Sequence, residues 1–317
     1  MPGETPPSVA VIIPCYKQAH FLPEAVASVV AQTYPLWEAI IVDDGSPDDT
    51  AAVAERLIAT YPRHTIRLIR QHNQGLSASR NNAIQATHCE YILPLDADDR
   101  LELEMLADAV SALQTSPEVG FVYTDVQLFG EETTRWSGGA YSLGKLRFDC
   151  PLMAMTLFRR VAWIEAGGFR DKMTPPGYED WDFWLALAEC GWQGRHIPRP
   201  LVRYRRTAGS MLAGVRLHDL EMRAQLILGH ARLYEPPFVT WARRTRDPAF
   251  AADGYVLNGV HWLRAFVGYT ALIALYHPHL LPKTLVRPLF CRLPVRGQAY
   301  ARRLARLLRQ TQAAQRA

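Results

Sequence analysis

Ala39-Ile40-Ile41-Val42-Asp43-Asp44-Gly45-Ser46 is the stretch that sets the fold: an uninterrupted apolar run enters two carboxylates, a glycine and a serine. A short continuous run without period-2 alternation marks a strand covered on both faces, as in a parallel sheet between helical layers. The Asp-Asp-Gly-Ser that stops it is turn chemistry. Val9 to Ile13 repeats the pattern and is stopped by Pro14, and Tyr91 to Leu95 runs into Asp96-Ala97-Asp98-Asp99. Ile66 to Ile69 and Phe121 to Val126 give further strands.

Helix-period segments separate these runs. Phe21, Leu22, Ala25, Val26, Val29 and Val30 share one face, a helix capped by Asp49 or Thr50 follows Ser46, and Ser77 to Ala86 forms another. Leu103, Leu106, Val110 and Leu113 mark one face of the next. Strand and helix in alternation predict an α/β fold with a mixed, mostly parallel sheet flanked by helices. Gly130 to Pro151 has no sustained period and reads as irregular. A strand over Met153 to Phe158, a helix ending at Gly167-Gly168, a helix opening at Glu179-Asp180 and a strand from Pro200 through Tyr204 complete this region. Beyond Met211 the pattern is wholly helical, which divides the chain into residues 1–211 and a helical C-terminal extension, 212–317.

The 317 residues are 49% hydrophobic and 21% charged, which excludes disordered, collagenous and disulfide-stapled classes. The net charge of +4 hides a split: residues 1–200 sum to −10 (16 Lys+Arg, 26 Asp+Glu) and residues 201–317 to +14 (19 against 5). Five widely spread cysteines without a Cys-x-x-Cys pair are expected to be buried thiols in a reducing, cytoplasmic compartment. The polar, Pro-rich opening is not a secretory signal, and Val260 to Tyr276 is interrupted by His261 and Arg264, so no membrane span is expected there. Arg302, Arg303, Arg306 and Arg309 alternate with leucines on a basic amphipathic helix. With Trp262 and Tyr269 nearby, it suits an anionic membrane surface on the cytoplasmic face; a helical cap with a solvated basic face is the other reading. No nucleic-acid module accompanies the positive charge. No Gly-x-Gly-x-x-Gly follows a strand, which argues against a dinucleotide-dependent oxidoreductase, and Pro14-Cys15-Tyr16-Lys17-Gln18 lacks the Gly-rich loop of a nucleotidyltransferase.

Carboxylates gather where strands end, the edge at which an open α/β sheet binds ligands. Asp96 and Asp98, at i and i+2 on a turn, suit a hard divalent ion that grips a diphosphate; alone, the pair reads more readily as a solvated turn with a helix cap. The pair is accompanied, in order, by Val9–Tyr16, Val42–Ser46, Gln71-x-Asn73-x-Gly75 with Ser79-Arg80-Asn81, Gly167-Gly168-Phe169 and Gly177–Asp182. This ordered set resembles the family 2 inverting glycosyltransferases, whose nucleotide-diphospho-sugar transferase fold is called GT-A, and it spans about residues 8–211.

The resemblance implies a role for each matching position. Asp44, with Asp43 beside it, would accept a hydrogen bond from the nucleotide base, an acceptor suited to the imide N–H of uracil or thymine; a UDP-sugar is the favoured donor. Pro14 and Tyr16 would line the base, and Arg80 would reach base or diphosphate. Asp96 and Ala97 would lie at the ribose or sugar, and Asp98 with Asp96 would ligate Mg2+ or Mn2+. Asp180, with Glu179 beside it as a second catalytic candidate, would be general base toward the hydroxyl of a sugar or lipid-linked acceptor. The stripe Trp181, Phe183 and Trp184 reads first as core, with Trp181 as a floor for that acceptor the other reading. Such enzymes build bacterial surface polysaccharide or glycolipid. Two positions depart from the pattern. Thr207 stands where the family often has a metal- or diphosphate-binding His, so that Arg205, Arg206 or Ser210 would supply positive charge or donors, and His218 is too far along the chain to replace it. Lys17 stands where Asn is common. Thr207 also keeps open a catalytically lapsed module that binds nucleotide or a partner protein.

Overall fold

The computed structural model describes residues 7–171, 173, 174, 176–207, 218–246, 251, 252, 256, 257 and 259–281. Two compact units divide the chain: 1–171 with 179–208, and 172–178 with 209–317.

In the first unit the order is β1 (Val9–Cys15), α1 (Leu22–Val30), β2 (Trp37–Asp44), α2 (Thr50–Thr60), β3 (Ile66–Gln71), α3 (Leu76–Gln85), β4 (Tyr91–Pro94), β5 (Arg100–Leu101), α4 (Met105–Gln114), β6 (Val119–Gly130), β7 (Arg135–Trp136), α5 (Leu143–Leu146), β8 (Leu157–Arg159), α6 (Arg160–Ala166), α7 (Glu179–Glu189) and β9 (Gln193–Arg206). One mixed sheet runs β3-β2-β1-β4-β8-β6-β9-β5, with β7 beside β6. The long pairings, β1 with β2 and β4, β2 with β3, and β6 with β9, are parallel, whereas the pairings of β5, β7 and β8 are short and antiparallel.

Every residue of β1 is buried, as its unbroken apolar run requires. Its register sets Cys15 opposite Asp43 and Ile12 opposite Pro94. The chain segments leaving β1, β2 and β4 therefore emerge together: Tyr16, the Asp43-Asp44 pair and the Asp96–Asp99 turn share one sheet edge. Leu22, Ala25, Val26 and Val29 of α1 and Met105, Leu106, Ala109, Val110 and Leu113 of α4 bury their helical stripes in the same core.

Several local expectations shift. Leu103 precedes α4 and is 51% exposed, while its carbonyl accepts the Thr33 N–H. Neither Asp49 nor Thr50 caps α2 with its side chain; Asp48 accepts the Thr50 N–H instead. The strand expected over Met153 to Phe158 shortens to β8 because Thr156 turns back, its hydroxyl donating to the Met153 carbonyl and its N–H to Ala154. Strand β9 begins well before Pro200. β6 accommodates the prolines with register shifts around Asp125, opposite Pro200, and Asp125 bonds His196 (2.7 Å) and Arg135. The Gly130–Pro151 segment is irregular apart from β7 and α5.

The second unit contains α8 (Asp219–Gly229), α9 (Pro236–Thr245) and α10 (Gly259–Tyr276). A two-residue antiparallel pair, Ala251–Ala252 with Val256–Leu257, interrupts the helical pattern expected beyond Met211. Residues 172–178 join this unit, although the sequence pattern groups them with the sheet. The Arg223–Asp219 pair, one helical turn apart at 2.7 Å, is buried, and Arg223 also donates to the Tyr269 hydroxyl. Trp262 (8%) and Tyr269 (1%) are core residues, not surface anchors. Ser210, Met211, Cys291 and the Arg302–Arg309 helix lie outside the described residues. No helix among the described residues is long and apolar enough to cross a membrane.

Candidate active site

Gly45 turns the chain after β2 with φ of +64°, and a Cβ there would sit 2.7 Å from the Asn73 N. Only glycine meets both demands, so the Asp43–Ser46 turn and the Gln71–Gly75 loop lie against each other. Asp44 fastens the second loop: Oδ1 accepts from Gln71 Nε2 and the Gln74 N–H (both 2.8 Å), and Oδ2 from the Gly75 N–H (2.9 Å). A carboxylate oxygen has room for two donors, so Oδ2 keeps one position for a ligand. Asp43 accepts the Ser46 N–H at 2.9 Å and is turned inward. The Lys17 N–H donates to Ser46 Oγ (2.7 Å), and Asp48 gathers Ser46 Oγ, Thr50 Oγ1 and the Ala19 N–H. Partial burial pushes the Asp48 carboxyl up, but its hydrogen bonds from Ser46, Thr50 and Ala19 bring it down to about 2. The β1 and β2 loops are thus one hydrogen-bonded body, with Pro14 buried and the Tyr16 ring 42% exposed above it. Lys17 carries φ of +59° and sets its ammonium 5.0 Å from the Tyr16 ring centre.

Arg80 on α3 has a different place from the one its sequence context suggests. Its side chain is fully buried and clamped by two carboxylates: Nη1 donates to Asp180 Oδ1 (2.5 Å) and Nη2 to Asp96 Oδ1 (2.9 Å). Asp96 and Asp180, 84 positions apart in the chain, are held by the two prongs of one guanidinium, and no side chain among the described residues bonds the Oδ2 of either. Burial is the largest effect on Arg80 and opposes its charge, but Asp180 and Asp96 outweigh it and hold the guanidinium protonated. Asn81, the next residue, receives the Trp163 indole N–H (3.1 Å) and the Phe169 N–H (2.9 Å) and donates to the Phe169 carbonyl (2.7 Å). It thereby pins the Gly167-Gly168-Phe169 segment, and the Phe169 ring lies 5.4 Å from the Arg80 guanidinium carbon.

Asp180 and Glu179 open α7, where the helix dipole favours carboxylates. Burial raises the Asp180 carboxyl and Asp96 adds to this, while Arg80 opposes the rise. Glu179 is 8% exposed; burial, then the Asp180 charge, push it up to about 7. Trp181 does not floor a site: it is 2% exposed and donates its indole N–H to the Leu146 carbonyl. That contact fixes α5, and with it the irregular segment, beside α7.

In the Asp96–Asp99 turn, carboxylates and core alternate. Ala97 is fully buried among apolar residues, so its methyl faces the core. Asp98 is half-buried; burial and then Asp96 push its carboxyl up to about 6. Asp99 is 1% exposed, accepts the Arg205 N–H on Oδ1 and leaves Oδ2 buried without a partner. Burial, then Asp96 and Asp98, raise it well above the usual carboxylate range. Arg205 supports the turn from behind, donating from Nε to the Asp98 carbonyl (2.8 Å) and pairing with Glu24 between the Phe21 and Phe129 rings. Arg206 lies 3.7 Å from Glu132, and Thr207 is exposed. Neither arginine is free to replace the missing histidine in this arrangement.

Among the described residues no group of three or more His, Cys, Asp and Glu is placed to hold a metal by itself. The Asp96–Asp98 pair nevertheless fits a hard divalent cation. Two carboxylates share one turn, Asp96 adds to the burial that raises Asp98, and Asp99 beside them has an orphaned buried oxygen. Such a cation completes its shell from water and diphosphate oxygens. The structure thus unites Asp96, Asp180, Glu179 and Arg80, and separately Pro14, Tyr16, Asp43 and Asp44. Asp48, Asn81 and Gln71 carry structural duties that the sequence assigns to none of them, although Gln71 and Asn81 stand in the ordered motifs and Asp48 lies just before a helix.

A family model described as "Glycosyl transferase family 2" matches residues 10–164, which include Asp44, Arg80 and the Asp96–Asp99 turn and stop before Glu179-Asp180. The chain is 30% identical over 189 residues to the chondroitin synthase of Escherichia coli, covering 58% of this chain but 27% of that protein. It is 28% identical to the putative glycosyltransferase EpsE of Bacillus subtilis, over 63% of this chain and 73% of that one. Among solved structures, it aligns with the mannosyltransferase PcManGT of Pyrobaculum calidifontis in complex with GDP-Man and Mn2+, with TM-score 0.59, 20% identity, and coverage of 90% and 86% of the two chains. With S. aureus TarS 1-349 in complex with UDP the TM-score is 0.60 at 17% identity, over 87% and 86% of the chains. These likenesses establish the GT-A type of mixed α/β fold. The match to the family model covers just under half of the chain, within the domain that begins at β1.

Proposed function

We propose that this protein is an inverting glycosyltransferase that moves a sugar from a nucleotide-diphospho-sugar, a UDP-sugar by preference, to an acceptor hydroxyl in bacterial surface polysaccharide or glycolipid assembly. The reading places it in the cytoplasm, or at the cytoplasmic face of the membrane. The observation that carries it is the Arg80 clamp, which brings the α7 carboxylate to the Asp-x-Asp turn and leaves an outer oxygen of each acid open.

Asp180 Oδ2 accepts a hydrogen bond from the acceptor hydroxyl and takes its proton as the oxygen attacks the anomeric carbon opposite the departing diphosphate. Fixing Oδ1 on Arg80 orients the base, and its raised affinity for protons makes it a better acceptor than a solvated aspartate. Tyr16 offers a ring to the base, and the remaining position on Asp44 Oδ2 accepts an imide N–H. A divalent cation held by Asp98 and Asp96 would neutralise the charge of the departing nucleoside diphosphate.

The test is a nucleoside-diphosphate release screen across uridine, thymidine and guanosine sugars, with and without chelator, beside Asp180→Asn. Release from one donor class that chelator suppresses and Asp180→Asn abolishes while donor still binds supports the reading. Failure of every donor to bind overturns it. A lapsed nucleotide-binding module is the second reading, favoured by exposed Thr207 and by Arg205 and Arg206 facing Glu24 and Glu132. Donor binding without release across acceptors would select it.

A further inference from the structure

Helix α10 of the second unit presents three faces. Trp262, Phe266, Tyr269 and Ile273 are buried, with the Trp262 and Phe266 rings stacked at 5.3 Å. A second face, including Arg264, Gly268 and Leu272, lines a cavity of about 780 Å3 with Trp241, Arg244 and other residues of α9. Trp241 is fixed there by its indole N–H, which donates to the Ala265 carbonyl at 2.8 Å. The third face is an apolar row at every fourth residue: Leu263, Val267, Ala271 and Leu275, of which Leu263 is 54%, Val267 57% and Leu275 72% exposed.

At about 100° per residue an i, i+4 row advances roughly 40° at each step, so this row winds toward the cavity face and meets it near Leu275. Arg264 projects between the two faces by the same arithmetic. No Asp or Glu lines the cavity, and among the described residues no carboxylate pairs with Arg244 or Arg264. Two arginines at the mouth of a Trp- and Leu-lined cavity, continuous with an exposed apolar row, have the chemistry of a surface for anionic amphiphiles. Charge also argues against the chain's own tail as occupant. Residues 282–317 contain nine Lys+Arg and no Asp or Glu, so they repel the two arginines and are attracted to the same anionic partner.

We propose that this face docks on an anionic lipid bilayer, with Leu263, Val267 and Leu275 entering the interfacial region and a lipid phosphate received by Arg244 and Arg264. The helix lies in the plane of the interface, since it is too short and interrupted to span. The docking residues are not the Trp262 and Tyr269 that the sequence brings forward, because those two hold the core of the unit. The proposal goes beyond the glycosyltransferase reading and stands without it.

The test is flotation of the full chain with vesicles of phosphatidylcholine alone and of phosphatidylcholine mixed with phosphatidylglycerol. The expected result is binding to the anionic vesicles only. Arg244→Gln with Arg264→Gln should lower the partition about 30-fold, the effect of removing two cations from an anionic surface. Leu263→Ser with Val267→Ser should lower it at least about 10-fold. All four side chains are exposed, so thermal unfolding should be unchanged and serves as the folding control. Undiminished flotation of the arginine variant would assign binding to residues 282–317 and overturn the proposal, as would a wild-type chain that does not float. Equally decisive against it is a Leu263→Ser, Val267→Ser chain that passes from dimer to monomer while still binding vesicles. Nucleoside-diphosphate release from the same preparations reports on the first unit, so failure of the catalytic reading is seen separately.

Discussion

Replacing Arg80 with lysine leaves a positive charge in the same buried place and removes the ability to hold two carboxylates at once. The guanidinium reaches Asp180 at 2.5 Å and Asp96 at 2.9 Å from different nitrogens of one rigid plane, and an ammonium is a point charge. One of the two charge-assisted bonds is lost, and each is worth about 1.5–3 kcal/mol. Both aspartate side chains are 30% exposed, so water takes up part of the loss, and about 2 kcal/mol of destabilisation is expected for Arg80→Lys. Arg80→Gln abandons both carboxylates and should cost about 3 kcal/mol, the lower end of the range for breaking a buried ion pair. Denaturant unfolding measures both. The catalytic consequence differs in kind: with Asp180 as the proposed base, donor KM should rise only slightly, whereas kcat should fall about 100-fold in Arg80→Lys because that carboxylate is no longer oriented. Asp180→Asn in the Arg80→Lys background should add less than it does alone, since the two act as one unit. An Arg80→Lys protein within about 0.5 kcal/mol of wild type and with unchanged kcat would refute the clamp as the device that aims Asp180.

Other positions give independent checks. Gly45→Ala should cost about 2 kcal/mol by thermal unfolding, because alanine resists a φ of +64° and its Cβ meets the Asn73 backbone N at 2.7 Å; affinity for nucleoside diphosphate should fall with it. Lys17→Asn should raise stability by about 0.5 kcal/mol, since asparagine tolerates the left-handed backbone at φ of +59°; a loss instead would rank the Tyr16 cation–π contact above the strain. Asp48 contributes stability that is fully present above its ordinary value of 3.8 and is lost as pH falls toward about 2, because its folded-state carboxyl is depressed. Urea titrations of Asp48→Asn across that window should therefore show a shallower pH dependence than wild type, and identical slopes would contradict the hydrogen-bond assignment.

The chain order of strands and helices in the first unit, and the carboxylates at the ends of β2 and β4, were legible from residue types alone. Short continuous β-branched runs suit interior strands, and the Asp, Gly and Ser that stop them act by local backbone chemistry, so no distant contact is needed to read them. The same holds for α1 and α4, whose periodic stripes are local properties. Elements that depend on distant partners were misplaced. β9 crosses Pro200 because β6 shifts register around Asp125, β8 shortens because Thr156 bonds backward, and Leu103 faces water because α4 begins after it.

The candidate site divides along the same line. Sequence order could nominate Asp44, Asp96, Asp98 and Asp180, since each sits in a short motif with its own local cause, but not say what each is bonded to. Only the folded chain decides that Asp44 is largely taken up by the Gln71–Gly75 loop, that the Ala97 methyl belongs to the core, and that Trp181 is packing. The same is true of Arg80, whose sequence setting suggests a donor ligand and whose burial makes it a brace. Its two partners are 16 and 100 positions away, and a charge removed from water must be met by whatever the fold brings there, which no local pattern encodes.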